Sequence, residues 1–480
     1  MLFNSTAFAV FFLIVFALYW SLPHKFRWIL LLAASYWFYM SWNPKYVVLI
    51  LFTTLVSYCT GLILERQSSK KNRKWTLALS TVTSLGVLFF FKYFNFASEA
   101  LAGLLGLLTI RTVPCTLDLL LPVGISFYTF QTLSYVIDVY RGHVQAERHF
   151  GIYAAFISFF PQLVAGPIER TGNLLPQINS VKTFDPSSAA YGLKLMAWGF
   201  FKKLVIADTI SAHVAPVFHN PHTFQGFSLV LAVVLFTFQI YCDFSGYSDI
   251  AIGVAKLMGI ELMTNFQSPY FSQSIREFWS RWHISLSTWF RDYLYIPLGG
   301  NRVSRPRNIF NLMTTFLVSG LWHGASWTFV VWGGLHGFVQ IAERLLHTGR
   351  TCRIGSPRWF LRVGLILCFC TLAWVFFAAQ TFDDALYILS HMSEGITQGL
   401  VSYLHAGFTA IDLGRADTFF LLLSILLLLV FDYLSLQRDV IAALSEKSSL
   451  LRWSIYVLFV IWIILNLPAV ETTEFIYFQF

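Results

Sequence analysis

Charge is scarce in this sequence. Only 12% of its 480 residues are Asp, Glu, Lys or Arg, about half of what a soluble domain carries. With 56% hydrophobic residues and a mean hydropathy of +0.63, a soluble globule is excluded. A clustered basic face on a polar module is also missing, which argues against nucleic-acid binding. The net charge of +9 instead fits the excess of Lys and Arg in the cytoplasmic loops of membrane proteins. Cysteine is sparse: Cys59, Cys115, Cys242, Cys352, Cys368 and Cys370 are scattered and show neither zinc spacing nor a paired framework. They read as small buried hydrophobes. No internal repeat is visible, so a transporter built of duplicated halves is not suggested. The first apolar run, FAVFFLIVFALYW, lacks a basic leader and a small-residue cleavage site, and reads as a retained span.

Apolar runs fill the rest. They lie near 5–21, 27–42, 45–64, 76–97, 117–140, 150–165, 188–212, 224–242, 308–322, 325–345, 359–380, 417–434 and 452–470. Several are too short or interrupted for simple crossings, so about eleven spans are expected, with two or three partial ones. The stretches 150–170, 244–262 and 270–300 look re-entrant or interfacial. The pattern is that of an all-α polytopic membrane protein. One membrane domain is expected, with N-terminal helices (1–115), a core (116–345) and C-terminal helices with a tail (346–480). The basic loops RQSSKKNRK (66–74), HKFR (24–27), HTGRTCRIGSPR (347–358) and LQRDVIAALSEKSSLLR (436–452) should face the cytoplasm. Counting from them puts both termini outside. The segment 381–416 carries Arg415 as its sole Lys or Arg and fits an outside amphipathic stretch.

Polar groups gather where the apolar pattern should exclude them. REFWSRWHISLSTWFRDYLYIPLGGNR (276–302) holds Arg276, Glu277, Arg281, His283, Arg291, Asp292 and Arg302. If it is helical, Glu277 and Arg281 can pair at i, i+4, Trp279 and His283 share a face, and Pro297 with Gly299–Gly300 ends the helix. Ionisable groups at membrane depth normally face a protein interior or a wet cavity; an amphipathic helix at the cytoplasmic interface would satisfy the same composition. SGLWHGASWTFVVWGGLHG (319–337) puts His323 between Trp322 and Trp327, beside Gly320 and Gly324. The glycines either bring two backbones together or leave room for a ligand chain. His336 follows 13 residues later, about 220° round a continuous helix, so the two histidines do not make one metal face. His283 and His323 lie on separate elements and could converge. No carboxylate–histidine spacing matches a metal motif, and no metal is expected. FQIYCDFSGYSDIAIGVAKLMG (238–259), with Gln239, Asp243 and Asp249 around Ser245–Gly246, reads as a broken helix. In FFPQLVAGPIER (159–170), Gly166–Pro167 forces a turn before Glu169–Arg170. Both stretches are either capped structural breaks or walls of a pocket.

These segments, together with the terminal EFIYFQF, resemble the membrane-bound O-acyltransferase family in its bacterial, alginate O-acetyltransferase-like branch. The likeness runs from about residue 120 to the tail. It implies a ring of tilted helices around a thinned centre, where a tunnel lets a cytoplasmic acyl donor meet an acceptor from the other side. The family's WHG histidine falls on His323, and its second polar position falls on His283. The resemblance implies His323 as general base and His283 as an orienting or polarising group. Trp279, Trp282, Trp322 and Trp327, with Ser319, Gln239 and Asp243, would line the substrate region, and Arg281 would hold donor phosphates. No bound cofactor is implied; acetyl-CoA would be the donor substrate, with a carrier-protein D-alanyl thioester as competitor. By the same resemblance the acyl group would pass to an extracytoplasmic partner, often an SGNH-like protein that modifies a polysaccharide, or to a glycan hydroxyl, in a bacterial inner membrane. EFIYFQF would then be a docking strand or lid, or a tail that folds back at the interface. Two other classes remain in view: a transporter with a midplane site, and a non-catalytic scaffold of an exopolysaccharide complex. The desolvation of the histidines argues against the scaffold.

Overall fold

The computed structural model describes residues 1–110, 112–346, 351–466 and 475–476, and every regular element among them is helical. By internal contacts the chain forms two compact units, Met1–Leu193 with Ala251–Met263, and Lys194–Ile250 with Thr264–Phe480.

The first unit holds α1 (Thr6–Ser21), α2 (His24–Met40), α3 (Val47–Arg66), α4 (Lys70–Leu88), α5 (Phe94–Leu107), α6 (Ile125–Arg141), α7 (Phe150–Ser158) and α8 (Thr171–Asn179). Ser5 caps α1 by accepting from the Phe8 N–H at 3.2 Å. Left-handed glycines bound α6, Gly124 at φ 75° and Gly142 at φ 76°, where a Cβ would be strained. The buried polar face of α3 is satisfied locally: Thr54 donates to the Ile50 carbonyl at 2.6 Å and Ser57 to that of Thr53 at 2.8 Å. Tyr153 of α7 adds a 2.7 Å hydrogen bond to Ser57. α7 is a partial element, as expected for 150–170: nine residues span about 13 Å, well short of a bilayer core of about 30 Å. The turn that follows it is a capped break. Glu169, fully buried, accepts from Asn173 Nδ2 at 2.7 Å and the Met263 N–H at 2.5 Å. This ties the Gly166–Pro167 turn to the end of the 251–263 segment.

The helix α9 (Pro186–Phe200) leads into the second unit through a π-helical segment, Phe201–Ala207, and α10 (Asp208–His219). Then come α11 (Phe227–Leu257), α12 (Ile275–Arg281), α13 (Ile284–Phe290), α14 (Arg305–His323), α15 (Trp327–Leu345), α16 (Pro357–Ala378), α17 (Phe382–His391), α18 (Leu400–Ala410), α19 (Arg415–Ser435), α20 (Val440–Ser445) and α21 (Ser449–Leu465). Two expectations fail here. The break at Ser245–Gly246 is absent: α11 runs unbroken for 31 residues, so 244–262 is mostly helix and not re-entrant. Gly246 serves close packing instead, since a Cβ there would lie 2.8 Å from the Gly199 carbonyl oxygen and 3.1 Å from the Lys203 nitrogen. The stretch 276–302 is not one helix either. It breaks at His283, resumes as α13, passes into a π segment (Arg291–Tyr295) and closes on Gly299 (φ 113°) and Gly300 (φ 56°).

Outer faces are apolar and open. Phe419, Leu422 and Leu426 of α19 are exposed, while Ser424 and Asp432 of the same helix are buried. Water would penalise that arrangement, and hydrocarbon favours it. Among the described residues, five stretches are long and apolar enough to cross a membrane: Pro44–Arg66, Lys70–Leu107, Phe227–Leu257, Pro357–Ala378 and Arg415–Ser435. α1 and α21 are shorter apolar helices. The chain is a multi-pass membrane protein.

Candidate active site

α14 and α15 form a tight hairpin. α14 ends at His323, and Ser326 starts α15 by accepting from the Thr328 N–H at 3.3 Å. Gly320 and Gly333 face each other across it, and a Cβ on Gly333 would come 3.2 Å from Gly320 Cα. A Cβ on Gly320 would overlap the Phe329 carbonyl oxygen. Of the two sequence-level readings, close backbone approach is the one the structure takes. Gly320→Ala should therefore cost about 1–3 kcal/mol, because the clash is with backbone that cannot rotate away. Thermal unfolding in detergent checks this; Gly364→Ala in the interior of α16, with nothing within 4 Å, is the control that should not lower the midpoint and should raise it slightly, since alanine is the better helix former. The reversal at Gly324 also removes the premise of one continuous helix through His323 and His336. On the two arms both rings pack against Trp332, each at 5.0 Å between centroids.

His283 and His323 do converge. Both belong to the second unit, their ring centroids are 6.3 Å apart at 58°, and they are 0% and 2% exposed. Aromatic rings enclose them. Phe244 lies 4.5 Å from His283 and Trp322 5.9 Å, while Trp332 and Phe377 lie 5.0 and 5.5 Å from His323. Imidazole is the side chain whose proton affinity suits general-base work near neutral pH. A dry aromatic enclosure excludes competing water from whatever the pair activates. Two imidazoles at this separation can address one reacting group from two sides.

The backbone that presents His283 is unusual. Its φ of 43° and ψ of 54° are left-handed, a conformation that costs a non-glycine residue on the order of 1–3 kcal/mol and tends to persist at functional sites. This turn separates α12 from α13, so Trp279 and His283 do not share a helical face.

Next to the pair lies a buried charge network. The π segment after α9 delivers two consecutive lysines. Lys202 Nζ meets Asp249 at 2.7 Å and Ser245 Oγ at 2.9 Å. Lys203 Nζ bridges Asp208 and Asp243, 2.7 Å from each. The second oxygen of Asp243 accepts the Ile476 N–H at 2.8 Å. Ile476 and Phe475 are buried, and the Phe475 ring lies 5.6 Å from Phe244 and 5.0 Å from Tyr247. These two residues of the terminal motif thus turn inward; Glu474 and 477–480 lie outside the described residues.

The remaining sequence candidates separate into groups. Trp279 is buried, and its Nε1–H donates to His336 Nδ1 at 3.3 Å, which puts the His336 proton on Nε2. Trp282 is buried among Phe266 (5.1 Å), Phe278 (5.5 Å) and Trp374 (5.0 Å). Trp322 and Ser319 are buried on the last turns of α14. Arg281 pairs with Glu277 at 2.7 Å, at the i, i+4 spacing the sequence offered. Gln239 is half-buried one turn before Asp243. Trp327 stands apart, 59% exposed at the start of α15. Sequence reasoning missed Phe244, Trp332 and Phe377 as enclosing rings, and Lys202 and Lys203 as counter-charges. The lysines did leave a signal: two adjacent cations inside the apolar run 188–212.

Comparison with known proteins identifies the family. The sequence profile described as MBOAT, membrane-bound O-acyltransferase family, matches residues 146–380. That range contains both histidines, the lysine pair and the aromatic enclosure. The chain is 40% identical over 430 residues to the probable alginate O-acetylase AlgI of Pseudomonas aeruginosa, covering 88% of this chain and 81% of the relative. It is 36% identical over 393 residues to the peptidoglycan O-acetyltransferase of Helicobacter pylori, covering 75% and 73%. A more distant relative is the teichoic acid D-alanyltransferase of Streptococcus thermophilus, 30% identical over 300 residues and covering 58% and 72%. The chain therefore belongs to the membrane-bound O-acyltransferase family and is an O-acyltransferase.

Proposed function

We propose that this O-acyltransferase takes an acetyl group from acetyl-CoA at the cytoplasmic face of a bacterial inner membrane and supplies it for O-acetylation of an extracytoplasmic polysaccharide. The observation that carries the reading is the pair His283 and His323, 6.3 Å apart in an aromatic enclosure. The names of the relatives support the acetyl group and the polysaccharide acceptor.

In this reading His323 takes the proton of an acceptor hydroxyl as its oxygen attacks the thioester carbonyl carbon. The carbon–sulfur bond breaks, and the proton passes from the imidazolium to the departing thiolate. His283 orients the carbonyl or donates to its developing oxyanion. The C-terminal end of α14, where His323 sits, carries partial negative charge that favours a transient imidazolium. Trp279, Trp322 and Trp332 bound the short acyl chain, and cytoplasmic arginines hold the donor's phosphates. The acceptor hydroxyl belongs to an SGNH-like partner or to the glycan, and both chain termini lie outside. D-alanyl transfer from a carrier-protein thioester is the second reading, favoured by the Streptococcus thermophilus relative.

The test uses the full chain in proteoliposomes with radiolabelled acetyl-CoA or a D-alanyl carrier protein, and a hydroxyl acceptor. Label moving from acetyl-CoA, with one thiol released per acetyl transferred, is the expected result. Transfer from the carrier protein alone replaces the acetyl reading with the second one.

A further inference from the structure

We infer that Asn265 is a positioning residue that holds His283 in its left-handed turn, an inference that rests on the reading of His283 as part of the reacting pair.

His283 stands at the N-cap position of α13, yet its side chain makes no capping hydrogen bond there. A cap residue normally spends its side chain on the first free N–H groups of its helix. Here Asn265, from a different part of the chain, meets those groups. The Ile284 N–H donates to the Asn265 backbone carbonyl at 2.9 Å. The Ser285 N–H and Oγ–H both donate to Asn265 Oδ1, at 3.2 and 2.9 Å. The cap is supplied from a distant segment of the same chain, and the imidazole is not used for it.

Asn265 is itself fixed. Its Nδ2 donates to Ser248 Oγ at 3.2 Å, and Asn265, Ser285 and Ser248 are all buried. Two residues further on, the Gln267 N–H donates to the Arg281 carbonyl at 2.9 Å, so the 265–267 segment grips the turn on both sides of His283. Ser248 lies one helical turn beyond Phe244, whose ring packs on His283 at 4.5 Å. α11 thus supplies both the wall against the imidazole and the anchor for the residue that sets its backbone. A strained backbone persists only where its surroundings over-determine it, and a small displacement of a reacting group costs rate far more than binding.

The experiment measures acyl transfer by the full chain in proteoliposomes, with folded protein quantified by size exclusion. Asn265→Leu keeps the volume and removes both polar atoms; its kcat should fall about tenfold or more while KM for the thioester stays within about twofold. Asn265→Asp keeps the acceptor facing Ser285 and should recover part of the loss. If the leucine variant does not fold, Ser248→Ala, which loosens only the Nδ2 anchor, should give a smaller fall in kcat with the same constant KM. The decisive arm combines Asn265→Leu, or Ser248→Ala, with His283→Leu, which leaves no polar side chain at 283 to be positioned. If Asn265 acts through His283, the combined variant is no slower than His283→Leu alone. Losses that multiply, or an unchanged kcat in both single variants, overturn the inference while leaving His283 in place. Full turnover by His283→Leu instead overturns the reading of His283, and the inference with it.

Discussion

His323→Gln is expected to accumulate in the membrane at the wild-type level and to lose acyl transfer by about 10²–10⁴-fold, the usual worth of a general base. Glutamine is the right substitution for this test. His323 is 2% exposed and wedged against Trp332 and Phe377, so alanine would open a cavity and confuse lost chemistry with lost packing. Glutamine fills most of the volume and keeps hydrogen-bonding groups, but it does not accept a proton near neutral pH. The fall should lie in kcat, with KM for the thioester nearly unchanged, because the lost interaction is made in the transition state alone. His283→Gln should lose less, since an amide can still donate toward an oxyanion. A His323→Gln protein with a normal elution profile and most of its turnover would remove His323 from the chemistry.

Much of this was legible in the sequence, and the parts that were not share a cause. Each of the thirteen apolar runs overlaps a helix of the structure, because in lipid an apolar run has no alternative to internal hydrogen bonding. The Glu277–Arg281 pair was legible because its spacing is local. The convergence of His283 with His323 could be suggested only as a possibility of separate elements, and the resemblance singled out the same two residues. What misled was the assumption that local sequence tells its own story. Gly246 looked like a helix breaker, yet it is the point where α11 approaches the carbonyl of Gly199, 47 residues away in sequence. The 220° argument for His336 failed because Gly324 reverses the chain. Trp327 looked equivalent to Trp322 but sits on the other side of that reversal and is exposed. Asn265 carried no signal at all, since its role exists only through the backbone of α13.

The largest effect on stability should come from a residue that touches neither histidine. Lys203→Met is expected to leave little folded protein in the membrane. Lys203 Nζ stands 2.7 Å from both Asp208 and Asp243, and all three side chains are at least nine-tenths buried. Removing one partner of a buried ion pair costs about 3–5 kcal/mol, because the remaining charge stays desolvated; here two carboxylates lose the same counter-charge. That loss is comparable with the whole stability of many proteins, about 5–15 kcal/mol. The mechanism makes a second prediction that simple loss of packing does not. Lys203→Met combined with Asp208→Asn and Asp243→Asn removes every uncompensated charge, and an asparagine at 243 can still accept the Ile476 N–H that Asp243 now binds. The triple variant should therefore fold better than the single one, as judged by elution profile and thermal midpoint. By contrast Arg148→Met, which breaks an exposed pair with Glu65 at 3.4 Å, should leave the midpoint where it is, since such pairs contribute little. If Lys203→Met folds as well as wild type, the counter-charge that Lys203 supplies to Asp208 and Asp243 contributes little to stability, and the ion-pair account of this network is wrong.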